Sequence, residues 1–129
     1  MTRDRRGTVA LEFALVAPFV LTLIFALLDL GRLLGDQHAL DAGVAVAARY
    51  AIVSSASASA AAIEAKVFGT IAPLLGACGT CTVTVTFAPS YQPGGTVTVA
   101  ASYPWVPSTP ISLLPAHTLA SSSTLTVQN

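Results

Sequence analysis

Apolar residues form one long stretch near the start of the chain. It covers residues 8–28 and contains a single ionisable residue, Glu12. An α-helix needs about 20 apolar residues to cross the hydrocarbon core of a bilayer. A secretory signal peptide has a shorter apolar region of about 7–15 residues and then a small-x-small cleavage site, which residues 29–33 do not supply. The pattern therefore predicts a membrane-spanning helix.

The helical pattern continues beyond this stretch. Apolar residues recur there at the spacing of one helix face, namely Leu40, Val44, Ala47, Ala48 and Ala51. The membrane helix is therefore predicted to continue outside the bilayer. Asp36, Gln37 and Asp41 fall on the opposite face, which is predicted to be solvated. Asp29 and Arg32 have the i,i+3 spacing of a surface ion pair.

A second helix is predicted after an interruption in the Ser/Ala-rich residues 54–60. Its apolar face consists of Ile63, Val67, Ile71 and Leu74. Pro73 and Gly76 are predicted to bound it, because proline and glycine are common at helix ends.

The pattern changes to strict alternation after Cys81. Val83, Val85 and Phe87 alternate with threonines, as a half-buried strand requires, and residues 96–103 alternate in the same way. The turn-forming composition of residues 89–95 predicts that the two strands form an antiparallel hairpin.

Four prolines among residues 104–115 predict a loop, because proline lacks the N–H group that a sheet ladder needs. Residues 119–127 then predict a third strand. The predicted fold class is α+β: a long N-terminal membrane helix extends into a small extracytoplasmic head, which has a second helix and a roughly three-stranded antiparallel sheet.

Charge narrows the possible functions. The chain has six basic and six acidic residues, and no charged residue follows Lys66. This distribution cannot form the basic surface of a nucleic-acid-binding protein. It also argues against a hydrolase or metalloenzyme, since His38 and His117 are the only histidines and lie far apart in sequence. Three arginines precede the apolar stretch, so the positive-inside rule places the N-terminus in the cytoplasm.

Glu12 and Pro18 are unusual in a plain membrane anchor. An acidic residue inside a membrane helix indicates a functional site, although Glu12 is close enough to one end to reach the lipid headgroups instead. Pro18 removes one backbone N–H and is expected to bend or loosen the helix.

Residues 5–18 resemble a known family. A basic pair and a glycine, Arg5-Arg6-Gly7, precede a hydrophobic helix with Glu12 at its fifth position and Phe13 at its sixth. This resembles the processing site of type IV pilin-like proteins, and the continuation to Pro18 is similar to the TadE-like family of pseudopilins or minor pilins of tight-adherence (Flp/Tad) pili.

The resemblance implies a processing step and a site. A membrane-embedded prepilin peptidase would cut between Gly7 and Thr8, on the cytoplasmic face. The new α-ammonium group of Thr8 could then pair with Glu12 of a neighbouring subunit, which would offset the burial of the carboxylate. Glu12, Phe13 and Pro18 are thus the residues expected to govern helix assembly and register.

The resemblance covers residues 1–51 strongly and 97–127 moderately. Residues 29–32 look like the family's exit from the membrane, and residues 47–51 look like its later alanine-rich segment. Family members often carry Arg-Glu-Gly ahead of that segment's arginine, whereas this chain has Val46-Ala47-Ala48 before Arg49. Any role of that charge pattern does not transfer to this chain.

The two cysteines, Cys78 and Cys81, allow more than one interpretation. In a thiol oxidoreductase such a pair opens a helix in a βαβ fold, whereas here it precedes a threonine-rich strand. Outside the cytoplasm a short-loop structural disulfide is the favoured hypothesis, and redox catalysis is the alternative. A zinc site would need two further ligands, so no metal site or other cofactor is predicted.

Three further side chains are candidates for binding or packing roles. His38, on a polar helix face, and His117, in a loop, are predicted to be solvent-exposed. Trp105 is either an anchor at a protein interface or, as is more common, a lid over the core of a small sheet.

The predicted organisation has four parts: a cytoplasmic leader (1–7), a transmembrane helix (8–30), an extracytoplasmic helical segment (31–76) and a small β head (77–129). The resemblance implies a non-enzymatic pseudopilin or minor pilin in the cytoplasmic membrane, which helps to assemble or initiate a Tad-type adhesion pilus. Its expected partners are the membrane, the prepilin peptidase, other pilin-like subunits and Tad assembly proteins. No nucleic acid or small-molecule substrate is expected.

The alternative function is an uncleaved, signal-anchored extracytoplasmic binding protein. It predicts that the chain keeps Met1 or Thr2 as its N-terminus. A third hypothesis, an extracytoplasmic oxidoreductase, depends on Cys78 and Cys81.

Overall fold

The computed structural model describes residues 5–54, 59–75, 79–90, 92–109 and 112–128. These residues form two helices, α1 (Arg5–Val53) and α2 (Ala60–Leu75), followed by three strands. The strands are β1 (Thr82–Ala88), β2 (Thr96–Trp105) and β3 (His117–Thr126). They form one antiparallel sheet in the order β1-β2-β3. The predicted α+β fold is confirmed.

Helix α1 is 49 residues long and has two different environments. Most large apolar side chains from Val9 to Leu28 are exposed, whereas the core residues of α1 begin at Ala39. The helix is uninterrupted at Pro18, where the Thr22 hydroxyl donates a hydrogen bond of 2.7 Å to the Pro18 carbonyl. The N-terminal half therefore extends beyond the core, and the C-terminal half forms part of the head.

The core lies between the two helices and one face of the sheet. The stripe predicted on α1, from Leu40 to Ala51, is buried. Ile63, Val67 and Ile71 of α2 are buried too, whereas the side chain of Leu74 lies outside the described residues. Periodicity predicts these faces correctly because burial of an apolar stripe is what makes an outer helix stable in a small domain.

Helix α2 begins at an N-cap and ends beyond a proline. The Ser59 hydroxyl accepts a hydrogen bond of 3.2 Å from the Ala62 N–H. The prediction that Pro73 bounds this helix is wrong, since Pro73 lies inside it and α2 ends at Leu75. A proline this close to the C-terminus removes only one helical hydrogen bond, which the last turn tolerates. Gly76, the other predicted boundary, lies outside the described residues.

The sheet presents a different composition on each face. Val97, Val99 and Ala101 of β2 point into the core, whereas the threonines of β1 are exposed. Across the outer face, the hydroxyls of Thr98 and Thr124 are 2.9 Å apart. The predicted hairpin and its alternating pattern are confirmed.

The second strand is longer than predicted. The sequence predicts a loop at residues 104–105, but Pro104 pairs with Thr118 and Trp105 with His117. Strand β1 pairs with β2 only as far as Ser102, so at Pro104 one edge of β2 has no neighbouring strand. Proline is accepted at such an edge because no ladder N–H is needed there.

Gly94 and Gly95 close the β1–β2 turn. Gly94 has a φ of 88°, a conformation that L side chains rarely adopt. A Cβ on Gly95 would collide with the Ser90 carbonyl oxygen. The Gly94 N–H donates to the Val127 carbonyl, and the Val127 N–H donates to the Gly95 carbonyl. The turn is thereby joined to the end of β3.

Candidate functional site

The exposed half of α1 contains the processing and assembly residues that the sequence predicts. Gly7, Thr8, Glu12 and Pro18 are all exposed, and the Phe13 side chain is 73% exposed. Within the described residues, Gly7–Val53 is the one segment long and apolar enough to cross a membrane. Of these residues, Pro18 lines a shallow groove that also includes Leu113 of the head.

Glu12 has no ion-pair partner in the part of the chain that the structure describes. Its carboxylate lies one helical turn beyond Thr8, on the same helix, among exposed apolar residues such as Leu11 and Phe13. A carboxylate in such surroundings needs a compensating charge when water is removed. Any such charge has to come from outside the described part of this chain.

Asp29 marks the point where the exposed half of α1 meets the head. Its side chain is only 1% exposed. The Ser108 N–H donates a hydrogen bond of 3.3 Å to one carboxylate oxygen, and the Thr109 hydroxyl donates to the other. The sequence predicts instead a surface pair between Asp29 and Arg32. The predicted surface position is wrong because the loop between β2 and β3 folds back onto α1 and covers this carboxylate, although the charge of Arg32 still acts on it.

The β2–β3 loop comprises residues 106–116, of which 110 and 111 lie outside the described residues. It extends past Asp29 toward the N-terminal half of α1. Leu113 lines a shallow groove together with Pro18, Phe19, Thr22 and Leu23 of the helix. The Leu113 side chain itself is 72% exposed. The loop therefore lies along the apolar half of the helix.

Trp105 closes the core at the start of this loop. It is 1% exposed, and its ring lies 5.3 Å from that of His117, at a tilt of 44°. The predicted core lid is confirmed. His117 is exposed as predicted, but it is the first residue of β3 and not part of a loop. Its position follows from the pairing of Trp105 with His117 in the extended β2–β3 ladder.

Asp36 and Gln37 join α1 to the sheet. The Gln37 amide donates hydrogen bonds to the Ala120 carbonyl, at 3.3 Å, and to the Asp41 carboxylate, at 3.1 Å. Asp36 and Gln37 are half-buried, so the predicted solvated face is correct for Asp41 only. The period of α1 could not show this, because the burial comes from β3 and Trp105.

Burial raises the pKa of Asp36, and the charge of Arg32 partly opposes the increase. The Trp105 indole N–H also favours ionisation of Asp36, although Nε1 is buried and has no partner within hydrogen-bond distance among the described residues. The Asp36 carboxylate therefore lies near the indole without forming a close hydrogen bond. This pair is a packing feature of the head and offers no reactive group to a substrate.

The described cysteine and histidine residues form no metal-binding cluster. Cys81 is disulfide-bonded and Cys78, its predicted partner, lies outside the described residues. The pairing of the two therefore stays a prediction. The described residues contain no group of three or more His, Cys, Asp or Glu that could hold a metal ion. His38 is exposed, as predicted.

Comparison with known proteins gives one match. A protein-family model described as "TadE-like protein" matches residues 7–49. No curated protein and no solved structure matches the chain. The matched segment begins at Gly7 and includes the exposed apolar half of α1, Asp29, and most of the buried stripe of α1. The resemblance seen in the sequence is thereby confirmed for residues 7–49, which are similar to the TadE-like family.

Proposed function

We propose that this protein is a pseudopilin or minor pilin that takes part in the assembly or initiation of a Tad-type adhesion pilus. The observation that carries the proposal is the exposed, apolar N-terminal half of α1. It follows an Arg-Arg-Gly leader and lies within the TadE-like match. The proposed role is therefore assembly through a shared helix and not catalysis.

The exposed half of α1 supports a single-pass membrane protein. Residues 8–28 would span about 31 Å as an α-helix, which is close to the thickness of a bilayer's hydrocarbon core. Their apolar side chains are exposed around the helix, as lipid or other apolar helices require. The arginines ahead of the helix favour an orientation with its N-terminus in the cytoplasm and the head outside.

Prepilin peptidase processing between Gly7 and Thr8 is the next part of the proposal. Both residues are exposed at the start of the described helix, where no part of the head covers them. Cleavage would remove the arginines of the leader and leave an α-ammonium group on Thr8. The mature chain would then begin with the apolar helix itself.

Glu12 would then set the register between neighbouring helices. Its carboxylate has no compensating charge among the described residues of its own chain, and the Thr8 α-ammonium of a neighbouring subunit supplies one. An opposite charge at close range in a medium of low dielectric favours the ionised carboxylate. Pairing would fix one helix relative to the next, while the surrounding apolar side chains permit many registers.

The first test is the mature N-terminus, determined by intact mass and N-terminal sequencing with and without the host's prepilin peptidase. We expect a chain that starts at Thr8 only when the peptidase is present. A chain that still starts at Met1 or Thr2 would contradict the proposal and favour the signal-anchored binding protein.

The second test separates processing from assembly. Glu12→Ala is expected to leave cleavage largely intact and to reduce pilus output, because the neighbour's α-ammonium group loses its partner. Leu11→Ala is the matched control, since Leu11 is exposed on the same turn but carries no charge. Normal pilus output from Glu12→Ala would contradict the register role.

A further inference from the structure

We infer that the described part of the β2–β3 loop, residues 106–109 and 112–116, is a lipid-facing element beside the membrane helix, with Leu113 in the hydrocarbon of the outer leaflet. Asp29 positions it. This inference rests on the proposed membrane-spanning role of residues 8–28, and it adds a second membrane contact made by the head itself.

The position of Leu113 along α1 is the main argument. Leu113 lies in a groove with Pro18, Phe19, Thr22 and Leu23. At a rise of 1.5 Å per residue, these helix residues lie about 9–16 Å from Asp29 toward the N-terminus. They belong to the apolar stretch that has to cross the bilayer. A side chain beside them therefore lies at the depth of the acyl chains.

A membrane boundary closer to the N-terminus, which would leave Leu113 in water, is not compatible with a membrane-spanning α1. If Leu113 and its four helix neighbours were in water, the apolar helix available for crossing would be residues 8–17. Ten residues span only about 15 Å, half of what a bilayer requires. The helix can cross the bilayer with these residues only if the Leu113 side chain enters the membrane.

The composition of the loop fits this depth. It contains no Asp, Glu, Lys or Arg, and Val106 and Leu113 expose their apolar side chains. Pro107 and Pro115 carry no backbone N–H. An unpaired N–H is costly in hydrocarbon, so a loop with fewer donors enters the outer leaflet at lower cost.

Side chains satisfy several of the polar groups that remain. Asp29 accepts the Ser108 N–H and the Thr109 hydroxyl. The Ser112 hydroxyl accepts the Leu114 N–H at 3.1 Å. The Asp29 carboxylate therefore accepts hydrogen bonds from the loop within the same chain. It lies directly after the apolar stretch of α1. It acts as a positioning residue that holds the loop against the helix.

Depth-dependent quenching tests the inference in the full-length protein reconstituted in phosphatidylcholine/phosphatidylglycerol vesicles. Single cysteines at Leu113, Phe19 and Ser122 are labelled with an environment-sensitive fluorophore. Unsubstituted protein gives the labelling blank for the two native cysteines, of which Cys81 is disulfide-bonded. Phe19 reports the membrane helix, and Ser122 reports the exposed outer face of the sheet.

We expect nitroxide-labelled acyl chains to quench the labels at Leu113 and Phe19, and aqueous iodide to quench only the label at Ser122. A label at Leu113 that behaves like the one at Ser122, while Phe19 stays lipid-quenched, overturns the loop inference alone. A label at Phe19 that lipid does not quench overturns the proposed span as well. Protection of Leu113 from both quenchers identifies protein as its neighbour and also overturns the lipid assignment.

The role of Asp29 is tested in the same vesicles. Asp29→Ala is expected to abolish lipid quenching at Leu113 and to leave Phe19 unchanged, because the loop loses its attachment but the helix does not. Asp29→Asn keeps one oxygen for the Ser108 N–H and is expected to restore part of the quenching. Unchanged quenching at Leu113 in Asp29→Ala would show that Asp29 does not position the loop.

Discussion

At the residue scale, Trp105 could have either of two roles, an anchor at a protein interface or a lid over the core, and its burial supports the second. Among the chain's aromatic residues it is the largest, and exposed tryptophan is common at protein interfaces. Here it is 1% exposed and belongs to the core, beside Leu119 and the buried residues of β2. A residue in this position contributes to folding before it can contribute to any contact between subunits.

Trp105→Ala is therefore expected to lower the free energy of unfolding by about 3–5 kcal/mol, as removal of a buried aromatic ring commonly does. Thermal unfolding in detergent, followed by circular dichroism, measures the effect. Val106→Ala is the control, since Val106 is 62% exposed and should change stability little. An unchanged melting temperature in Trp105→Ala, with loss of subunit contact, would favour the interface role instead.

Asp36 makes a pH-dependent contribution to the stability of the fold. Burial raises its pKa in the folded state above the ordinary value of 3.8. The folded chain then binds more protons than the unfolded chain between 3.8 and the raised pKa, so stability falls as the pH rises through this window. At neutral pH the ionised, half-buried carboxylate destabilises the fold.

Asp36→Asn is expected to be more stable than the unsubstituted chain at neutral pH, because the amide carries no charge to desolvate. The difference should shrink as the pH falls toward 3.8. Melting temperatures across this range measure it, with Asp41→Asn as an exposed control on the same helix. A variant that is less stable than the parent at neutral pH would contradict this account.

The close approach of the two helices is the main feature at the element scale. A Cβ added to Gly43 would lie 2.6 Å from Cγ2 of Ile71 and 3.5 Å from the Val67 carbonyl oxygen. Beside this contact, the Lys66 ammonium lies 5.1 Å from the centre of the Tyr50 ring. Gly43 thus allows α2 to pack directly on the backbone of α1.

Gly43→Ala is expected to destabilise the head by about 1–3 kcal/mol, because overpacking outweighs the gain in helix propensity. Gly35→Ala is the matched control on the same helix. Nothing lies within 4 Å of its added Cβ, so it should stabilise the helix by up to about 1 kcal/mol. Chemical denaturation of both variants compares them, and equal effects would show that α1 and α2 do not approach as closely as described.

The whole molecule divides into an exposed apolar stalk and a head with its own core. All of the buried hydrophobic residues among those described lie at or after Ala39, whereas residues 8–28 bury none of their large apolar side chains. The core of the head therefore does not include residues 8–28. Solubility, in contrast, is limited by the apolar surface of that helix.

A truncated chain that begins at Asp29 is expected to remain folded and soluble without detergent. It keeps both helix–helix and helix–sheet contacts, and it keeps the carboxylate that binds the loop at Ser108 and Thr109. Size-exclusion chromatography and cooperative thermal unfolding would confirm this. Aggregation or loss of the unfolding transition would instead assign residues 8–28 a part in folding the head.

The local features of this protein were predictable from its sequence. The long apolar helix follows from the length of its apolar stretch. The period of each element predicts the buried stripe from Leu40 to Ala51, the buried face of α2 and the alternating strand from Val83. The family resemblance was predictable too, because the residues that carry it are consecutive. In each case neighbours along the chain carry the whole signal.

Only the tertiary structure decided the surroundings of Asp29, Asp36 and Pro104. Asp29 is buried by residues 79 and 80 positions away in sequence, and Asp36 is buried by residues of the sheet. Pro104 is accepted in β2 because β1 pairs no further than Ser102. Periodicity shows which side of an element is apolar, but not which distant segment covers its polar side. The energy that brings a loop onto a helix comes from contacts between residues far apart in the chain, and no local pattern records them.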